Sequence, residues 1–519
     1  MAQAPVPMDQ RIDELKSKRA KQQLGGGEKR IAKQHEGGKQ TARERITELL
    51  DDGSFQEVSL FRKNRTVTFG MDTADVPAEG VVTGTGTIGG RPVHLASQDF
   101  TVMGGSAGEM HNVKVVEMMQ GALSTGTPFI FINDSGGARI QEGIDSLSGY
   151  GKVFYANVLL SGVVPQISII AGPCAGGAVY SPALTDWVIQ TRQAHMFITG
   201  PAVIKQVTGE EVTQDALGGA DAHQAVSGVN HFVANDDHEA LLIAQKLLSF
   251  FPQNNAEEPP IVKTGAPVEY DPSFAGIVPV DAKQGYDVKD IIKRVVDNGD
   301  FLEAQAGYAM NMVVGFGRVN GRTVGIVANQ PSVMAGCLDI NASDKGAHFI
   351  RFCNAFNIPI VTFVDVPGYL PGVAQEHGGI IRHGAKLLFA YSSATVPLIT
   401  IVLRKAYGGA YLAMASRDLG CDRAFAWPTA EIAVMGADGA AAVVFKKEIE
   451  SAEDPAAARE QKVQEYQDTF NTPFMAAARG LVDEIIDPGE TRQKIAAALE
   501  LLATKRKQRP SKKHGLLPV

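Results

Sequence analysis

Four short stretches place small residues directly after apolar, β-branched runs: "DSGGAR" (134–139) and "CAGGA" (174–178), then "DVPGYL" (365–370) and "AYGGA" (406–410). A strand that ends in small residues and opens a helix leaves backbone N–H groups unpaired and aimed at one spot, with the helix dipole behind them. Only tiny side chains let a ligand oxygen reach such groups. Two of these turns on neighbouring strands make an oxyanion hole, which suits a thioester enolate. The expected donors are the amides of Ala138 and Gly177 in the first pair and of Tyr369 and Gly409 in the second. A Gly-Gly after a strand also serves to pack a helix closely. That need alone leaves unexplained why two pairs stand at matching places.

Other catalytic devices are missing from the sequence. There is no G-x-S-x-G elbow, no H-E-x-x-H and no Walker A loop. The histidines, among them His35, His94, His111, His195, His223, His348, His377 and His383, are scattered and read as structural or surface groups. Cys174, Cys337, Cys353 and Cys421 are widely spaced, with no C-x-x-C and no histidine at ligand spacing, so they read as reduced and structural, and no metal site is expected. Two oxyanion holes without a protein base point to a substrate or cofactor that brings its own base.

The elements that must position these turns come in two copies. "GTIGGRPVHLASQD" (86–99) lies on "GRVNGRTVGIVANQ" (317–330), and in the same register Pro128 meets Pro359 and Asp134 meets Asp365. The offset grows by one to pair Pro165 with Pro397 and Gly176-Gly177 with Gly408-Gly409. This is a duplicated domain rather than a short-period solenoid. Within each half, runs such as "PFIFIND", "VPQISIIAGP", "IPIVTFVDVPG" and "VPLITIVLRK" read as buried strands. The stretches between them, "HNVKVVEMMQGALS" and "DKGAHFIRFCNAF", space apolar residues three and four apart and read as helices. Strand, turn and helix in alternation give an α/β class with right-handed crossovers. The Pro-rich polar segment "PQNNAEEPPIVKTGAPVEYDP" (252–272) reads as the linker, so the expected domains are 1–260 and 270–519. The first fifty residues read as two charged helices flanking the break "GGGEKR". The basic tail "KRKQRPSKKHG" reads as a solvated terminus.

With 519 residues, 44% hydrophobic and 20% charged, the chain has the composition of a globular protein of two or three domains. A net charge of −8 argues against nucleic-acid binding, which needs clustered Lys and Arg. The start, "MAQAPVPMDQRIDELKSKR", lacks the apolar core of a signal peptide, and no run of about 18 apolar residues occurs, so no membrane segment and a cytoplasmic location are expected.

The stretches "QDFTVMGGSAGEMH", "NDSGGARIQEGIDSLSGYG", "PQISIIAGPCAGGAVYSPALTD", "HMFITGP", "NQPSVMAGCLDINASDK", "FVDVPGYLPGVAQEHGGIIRHGAKLL", "RKAYGGAY" and "AWPTAEIAVMGADGAA" resemble the carboxyltransferase β subunits of biotin-dependent acyl-CoA carboxylases. The resemblance runs from about residue 10 to 515 and takes in propionyl-CoA carboxylase β, the large-core subunit of methylmalonyl-CoA transcarboxylase and the α subunit of methylmalonyl-CoA decarboxylase. It implies two tandem crotonase-like domains, the first on the acyl-CoA side and the second on the biotin side. It also implies a homohexamer with active sites between the first domain of one protomer and the second of another.

In the chemistry the resemblance implies, the thioester oxygen sits at Ala138 and Gly177, and the ureido oxygen of carboxybiotin at Tyr369 and Gly409 with Ala410 beside them. Gly137, Gly176, Gly368, Gly408 and Leu412 line the two approaches. Biotin, on a separate carrier chain, is the base, which accounts for the missing catalytic His or Glu. A biotin carboxyl carrier protein and a biotin carboxylase subunit are the implied partners, with ATP used only by a partner subunit. The reaction so implied converts propionyl-CoA to (S)-methylmalonyl-CoA; transcarboxylase and decarboxylase readings stand beside it. Lys29, Arg30, Arg43, Arg45 and Lys114 are candidates, by charge alone, for the CoA phosphates. A crotonase-type hydratase or isomerase would share the fold and use Glu142 as base, but it leaves the second hole unexplained. A scaffold has no use for either hole. At Leu412, propionyl-CoA carboxylase β chains read "YGGAYDVM" and the transcarboxylase and decarboxylase relatives "YGGSYLAM", whereas this chain reads "YGGAYLAM".

Overall fold

Residues 6–519 are described by a computed structural model, so the first five residues of the start discussed above lie outside the described residues. The chain divides into two compact units, Met1–Glu257 and Glu258–Val519. The strands of the first unit are β1 (Gln56–Val58), β2 (Val81–Ile88), β3 (Arg91–Gln98), β4 (Phe129–Ser135), β5 (Gln166–Ala175), β6 (Trp187–Thr191), β7 (His195–Phe197) and β8 (Phe232–Ala234). Those of the second are β9 (Leu302–Ala304), β10 (Met312–Val319), β11 (Arg322–Asn329), β12 (Ile360–Val366), β13 (Leu398–Tyr407), β14 (Arg423–Ala426), β15 (Glu431–Ala433) and β16 (Glu484–Ile485).

Each unit builds one eight-stranded sheet, and the two topologies are the same. The first sheet runs β1-β2-β3-β4-β5-β6-β8 with β7 also on β5; the second runs β9-β10-β11-β12-β13-β14-β16 with β15 also on β13. In both, the first three strands are antiparallel and the rest parallel. The central strands are buried up to the half-buried C-terminal ends of β5 and β13, which is why they read as continuous apolar runs rather than alternating ones. Helices Glu109–Thr125 and Ile144–Leu160 cross between β3, β4 and β5, and Ile340–Ala355 and Ile380–Ser393 do so between β11, β12 and β13.

The first fifty residues form three helices rather than two: Met8–Gln23, Glu28–Glu36 and Ala42–Leu49. The extra one begins inside "GGGEKR", and the last is capped by a Thr41/Glu44 capping box. The glycine break exists for close approach, since a Cβ on Gly26 would stand 1.9 Å from the Thr101 carbonyl oxygen. Residues 258 onward pack in the second unit, where the Val262 N–H donates to Gly321 O at 2.9 Å. The basic tail is anchored rather than solvated: Lys505 reaches Val396 O (2.7 Å) and Asp422 (2.6 Å), and Arg509 reaches Ala394 O (2.8 Å).

A second duplicated device holds the loops before β2 and β10. Lys114 Nζ donates to Ala78 O (2.7 Å) and Val81 O (2.6 Å), and Lys345 Nζ to Gln305 O (2.9 Å) and Tyr308 O (2.7 Å). Both loops carry non-glycine residues at positive φ, among them Ala78 at 48° and Gln305 at 51°. Burial pulls both ammonium groups down to about 7.

Candidate active site

Beyond β4 the chain makes one parallel bridge, between Ala138 and Ala107. Ala107 N–H donates to Gly137 O and Arg139 N–H donates to Ala107 O, both at 2.9 Å. The bonds on either side of Ala138 are therefore used, and its own N–H faces the other edge, toward the turn after β5. That turn is close at hand: a Cβ on Gly137 would lie 3.1 Å from Ala175 O. Gly177 is the second residue of the 3-10 turn Gly176–Val179, so its N–H falls among the first-turn donors that a helix leaves free. The second unit repeats this arrangement. Leu338 N–H donates to Gly368 O (3.1 Å) and Leu370 N–H to Leu338 O (2.8 Å), which turns the Tyr369 N–H to the opposite edge. Gly409 and Ala410 are the second and third residues of helix Gly408–Ala413, again within the first turn.

The glycines are of two kinds. Gly176 and Gly408 sit in the left-handed region, at φ 65° and 58°, where a side chain is strained. Gly177 and Gly409 have no such need, since neither has positive φ. A Cβ on Gly409 would meet nothing within 4 Å, and one on Gly177 would come nearest to the Tyr150 ring, at an ordinary 3.7 Å. Glycine costs a helix about 0.5–1 kcal/mol relative to alanine, so neither conformation nor packing calls for it here. At Gly409 the space a Cβ would take is clear, and at Gly177 it is bounded by the Tyr150 ring. Leu412 is 39% exposed and so is not a core residue, whereas Ala410 is buried.

The side chains behind the turns are tied up in ion pairs. Arg139, fully buried, pairs with Glu79 (2.8 Å) and Glu142 (2.7 Å), and the other Glu142 oxygen accepts the Glu109 N–H (2.7 Å). Both Glu142 oxygens are thus engaged in holding the turn. Asp134, at the end of β4, is bound by Lys39 (2.7 Å), Arg45 (2.9 Å) and Gln34 (3.0 Å); its counterpart Asp365, at the end of β12, is bound by Arg404 (3.0 Å). His111 is buried with Nδ1 on Glu79 O at 2.9 Å, and burial together with the Arg139 charge pushes it down to about 3, so its ring is neutral. His35, His195 and His383 face Glu44, Asp215 and Asp344. All four cysteines are free thiols, and burial lifts Cys174 to about 12. Among the described residues no group of three or more His, Cys, Asp or Glu is placed to hold a metal, and no helix is long and apolar enough to cross a membrane.

Two of the residues proposed by charge for the CoA phosphates are interior. Arg45 bridges Asp134 and Asp237, and Lys114 holds its loop carbonyls, each about 1% exposed. Arg43 forks onto Glu57 at 2.7 and 2.9 Å. Lys29 and Arg30 remain exposed, with Arg30 touching Thr101 O at 3.1 Å. The sequence reading assigned no part to Tyr150, which backs Gly177, or to Asp134 and Asp365. An aspartate recurring at one strand end in both halves was the available signal for the latter pair.

The model of the carboxyl transferase domain family matches residues 33–517. The chain is 68% identical to the 12S subunit of methylmalonyl-CoA carboxyltransferase from Propionibacterium freudenreichii subsp. shermanii, over 98% of each chain. It is 56% identical to methylmalonyl-CoA decarboxylase subunit alpha of Veillonella parvula, over 99% of each, and 55% identical to the propionyl-CoA carboxylase carboxyltransferase subunit of Haloferax mediterranei, over 99% of this chain and 100% of that one. A solved transcarboxylase 12S structure, a hexamer with methylmalonyl-coenzyme A and methylmalonic acid bound, superposes with a TM-score of 0.98 at 67% identity, over 100% of this chain and 99% of that one.

Proposed function

We propose, from the premise that this chain belongs to the carboxyl transferase domain family, that this carboxyltransferase moves a carboxyl group between biotin on a separate carrier chain and the α-carbon of propionyl-CoA. Methylmalonyl-CoA is the carboxylated partner. The observation that carries the assignment is the pair of glycines, Gly177 and Gly409, each among the first-turn amides of its helix and neither required by positive φ or by a close backbone approach. One such site serves one developing oxyanion, and carboxyl transfer has two.

In the first unit, the amides of Ala138 and Gly177 hold the thioester oxygen as charge builds on it during removal of the α-proton. A donor of this kind is worth about 2.7–4 kcal/mol in the transition state. In the second unit, the amides of Tyr369 and Gly409, with Ala410 beside them, hold the ureido oxygen, and the clear space at Gly409 leaves room for a flat ureido ring. Biotin, when bound, supplies the carboxyl group and a ureido nitrogen basic enough to take the α-proton. No side chain of the turns is free to act as base, in keeping with Glu142 locked between Arg139 and Glu109. Gly137, Gly176 and Gly368, all at positive φ, keep side chains off the two approaches.

The partners that follow are a biotin carboxyl carrier protein and, for net carboxylation, a biotin carboxylase subunit that uses the ATP. A homohexamer is the assembly proposed. A second reading of direction, transcarboxylation between two acyl compounds, is favoured by the 68% identity to the methylmalonyl-CoA carboxyltransferase 12S subunit against 55% to the propionyl-CoA carboxylase subunit. The test is ATP-free turnover: purified protein with free biotin should convert methylmalonyl-CoA to propionyl-CoA. No conversion with any short acyl-malonyl thioester would sink the assignment.

A further inference from the structure

In each sheet the ladder that ends at the candidate site skips. β4 and β5 pair up to Asn133 with Ile170 and resume at Ser135 with Cys174, so Asp134 alone stands opposite Ala171, Gly172 and Pro173. β12 and β13 pair up to Val364 with Val402 and resume at Val366 with Ala406, so Asp365 stands opposite Leu403, Arg404 and Lys405. A bulge of this kind re-aims whatever follows it. Past it, Ala138 and Gly177 both lie three residues beyond the Ser135–Cys174 rung, and Tyr369 and Gly409 both lie three beyond Val366–Ala406. In the register before the bulge, Ala138 would be level with Ala175 and Tyr369 with Tyr407, the last residues of β5 and β13. The bulge thus sets the two donors of each pair at the same count past the last rung.

The aspartate closes the gap that the bulge opens, by different means in the two units. Asp365 Oδ1 accepts the Lys405 N–H (3.2 Å) and Oδ2 accepts Arg404 Nε (3.0 Å), while Arg404 Nη1 donates to Asp281 O (3.1 Å) and Gln284 O (3.0 Å). In the first unit Gly172 occupies the place of Arg404, and Pro173, which has no N–H, that of Lys405. Asp134 is instead held by Lys39, Arg45 and Gln34, and Arg45 Nη2 donates to Ala171 O on the bulge itself (3.1 Å). Glycine is required at 172, because a Cβ there would lie 2.0 Å from Asp134 Oδ1. Both carboxylates are buried. The partners differ and the link is the same: a buried carboxylate tied to the bulged backbone.

We infer that Asp134 and Asp365 are positioning residues, one for each hole, whose carboxylates fix the bulge that brings the two amide donors level. The inference rests on the proposed assignment of the first turn pair to the thioester and the second to biotin. It predicts a split by substrate. With free biotin and methylmalonyl-CoA, Asp365→Asn should raise the KM for biotin and lower kcat, together by about a hundredfold, the scale of a misplacement of order 1 Å, and leave the KM for methylmalonyl-CoA within about twofold. Lys39→Met, at the rim of the Asp134 cage with its side chain 14% exposed, should do the reverse, raising the KM for methylmalonyl-CoA and leaving that for biotin. A purely structural role reduces the amount of folded enzyme, and hence kcat, without moving either KM. Should Asp365→Asn not fold, Asp365→Asn/Arg404→Gln, which leaves no unmatched buried charge, takes its place in the same measurement. In variants folded by circular dichroism, both KM values moving together, or neither moving, overturns the inference. Absence of turnover in the unmodified protein overturns the carboxyltransfer reading itself.

Discussion

Replacing Gly409 by valine separates stability from activity. The position has ordinary helical φ, lies in the first turn of Gly408–Ala413, and offers no atom of the chain within 4 Å of an added Cβ. Inside the protein the added Cβ therefore meets no neighbour, and no side-chain contact is removed. Relieving the glycine of its helix cost, about 0.8–1.0 kcal/mol against alanine and less against a β-branched residue, leaves stability level or slightly raised. A shift of 1 kcal/mol moves the melting temperature by about 2–4 °C in units of this size, so thermal unfolding should fall within about 2 °C of the parent or above it. Activity is set by the space the valine fills. An isopropyl group beside the amide denies it to a ligand oxygen, and a lost oxyanion donor costs about a hundred- to a thousandfold in kcat. The assay is ATP-free conversion of methylmalonyl-CoA with free biotin, alongside differential scanning fluorimetry on the same sample. Undiminished turnover would refute the reasoning, and so would activity that falls only in step with the melting temperature.

Gly177→Val should behave alike, with a melting temperature lowered only by the Tyr150 contact and a rate loss of the same order, read in the same pair of assays. Leu412→Asp should shift the ratio of kcat/KM between propionyl-CoA and acetyl-CoA by about 10- to 200-fold, the worth of one methylene in a pocket; an unchanged ratio in folded protein would make Leu412 a bystander. Glu142→Gln should lower the melting temperature, because Arg139 is left with one buried carboxylate instead of two, while the pH profile of kcat keeps its shape; loss of one limb of that profile would restore Glu142 as a base. Lys114 and Lys345 titrate near 7 when folded and near 10.5 when exposed, so between these values the unfolded chain binds more protons and stability rises with pH. Chemical denaturation of the parent against Lys114→Met/Lys345→Met from pH 7 to 10 should show the parent gaining ground; a flat difference would mean that both lysines stay charged.

The duplicated architecture was legible because its punctuation is local. Glycine and proline bound each strand, and turns need those residues wherever they occur, so the two halves align at Gly90 with Gly321 and Asp134 with Asp365. The turns themselves were legible for the same reason. What bound them from behind was not. The pairing of Arg45 with Asp134 spans 89 residues, and no spacing rule connects a charge on a helix near the start of the chain with the end of β4. Arg45 and Lys114, candidates by charge for the CoA phosphates, belong to the interior for that reason. The bulge is not legible in the sequence because register is a relation between two strands, and neither strand carries it alone. The engagement of Glu142 is only half legible: its partner Arg139 is nearby in sequence, but the Glu109 N–H that donates to its second oxygen comes from another helix. The basic tail misled by composition, since Lys505 and Arg509 find carbonyl and carboxylate partners that only the folded second unit assembles.

The central claim is that both turn pairs are needed for one transfer through biotin. It is tested most directly by label exchange without ATP: propionyl-CoA labelled in its acyl chain, mixed with unlabelled methylmalonyl-CoA and a biotinylated carrier. The account predicts that label enters methylmalonyl-CoA only when biotin is present, and that Gly177→Val and Gly409→Val each abolish the exchange. Exchange without biotin, or undiminished exchange in either variant, would contradict it.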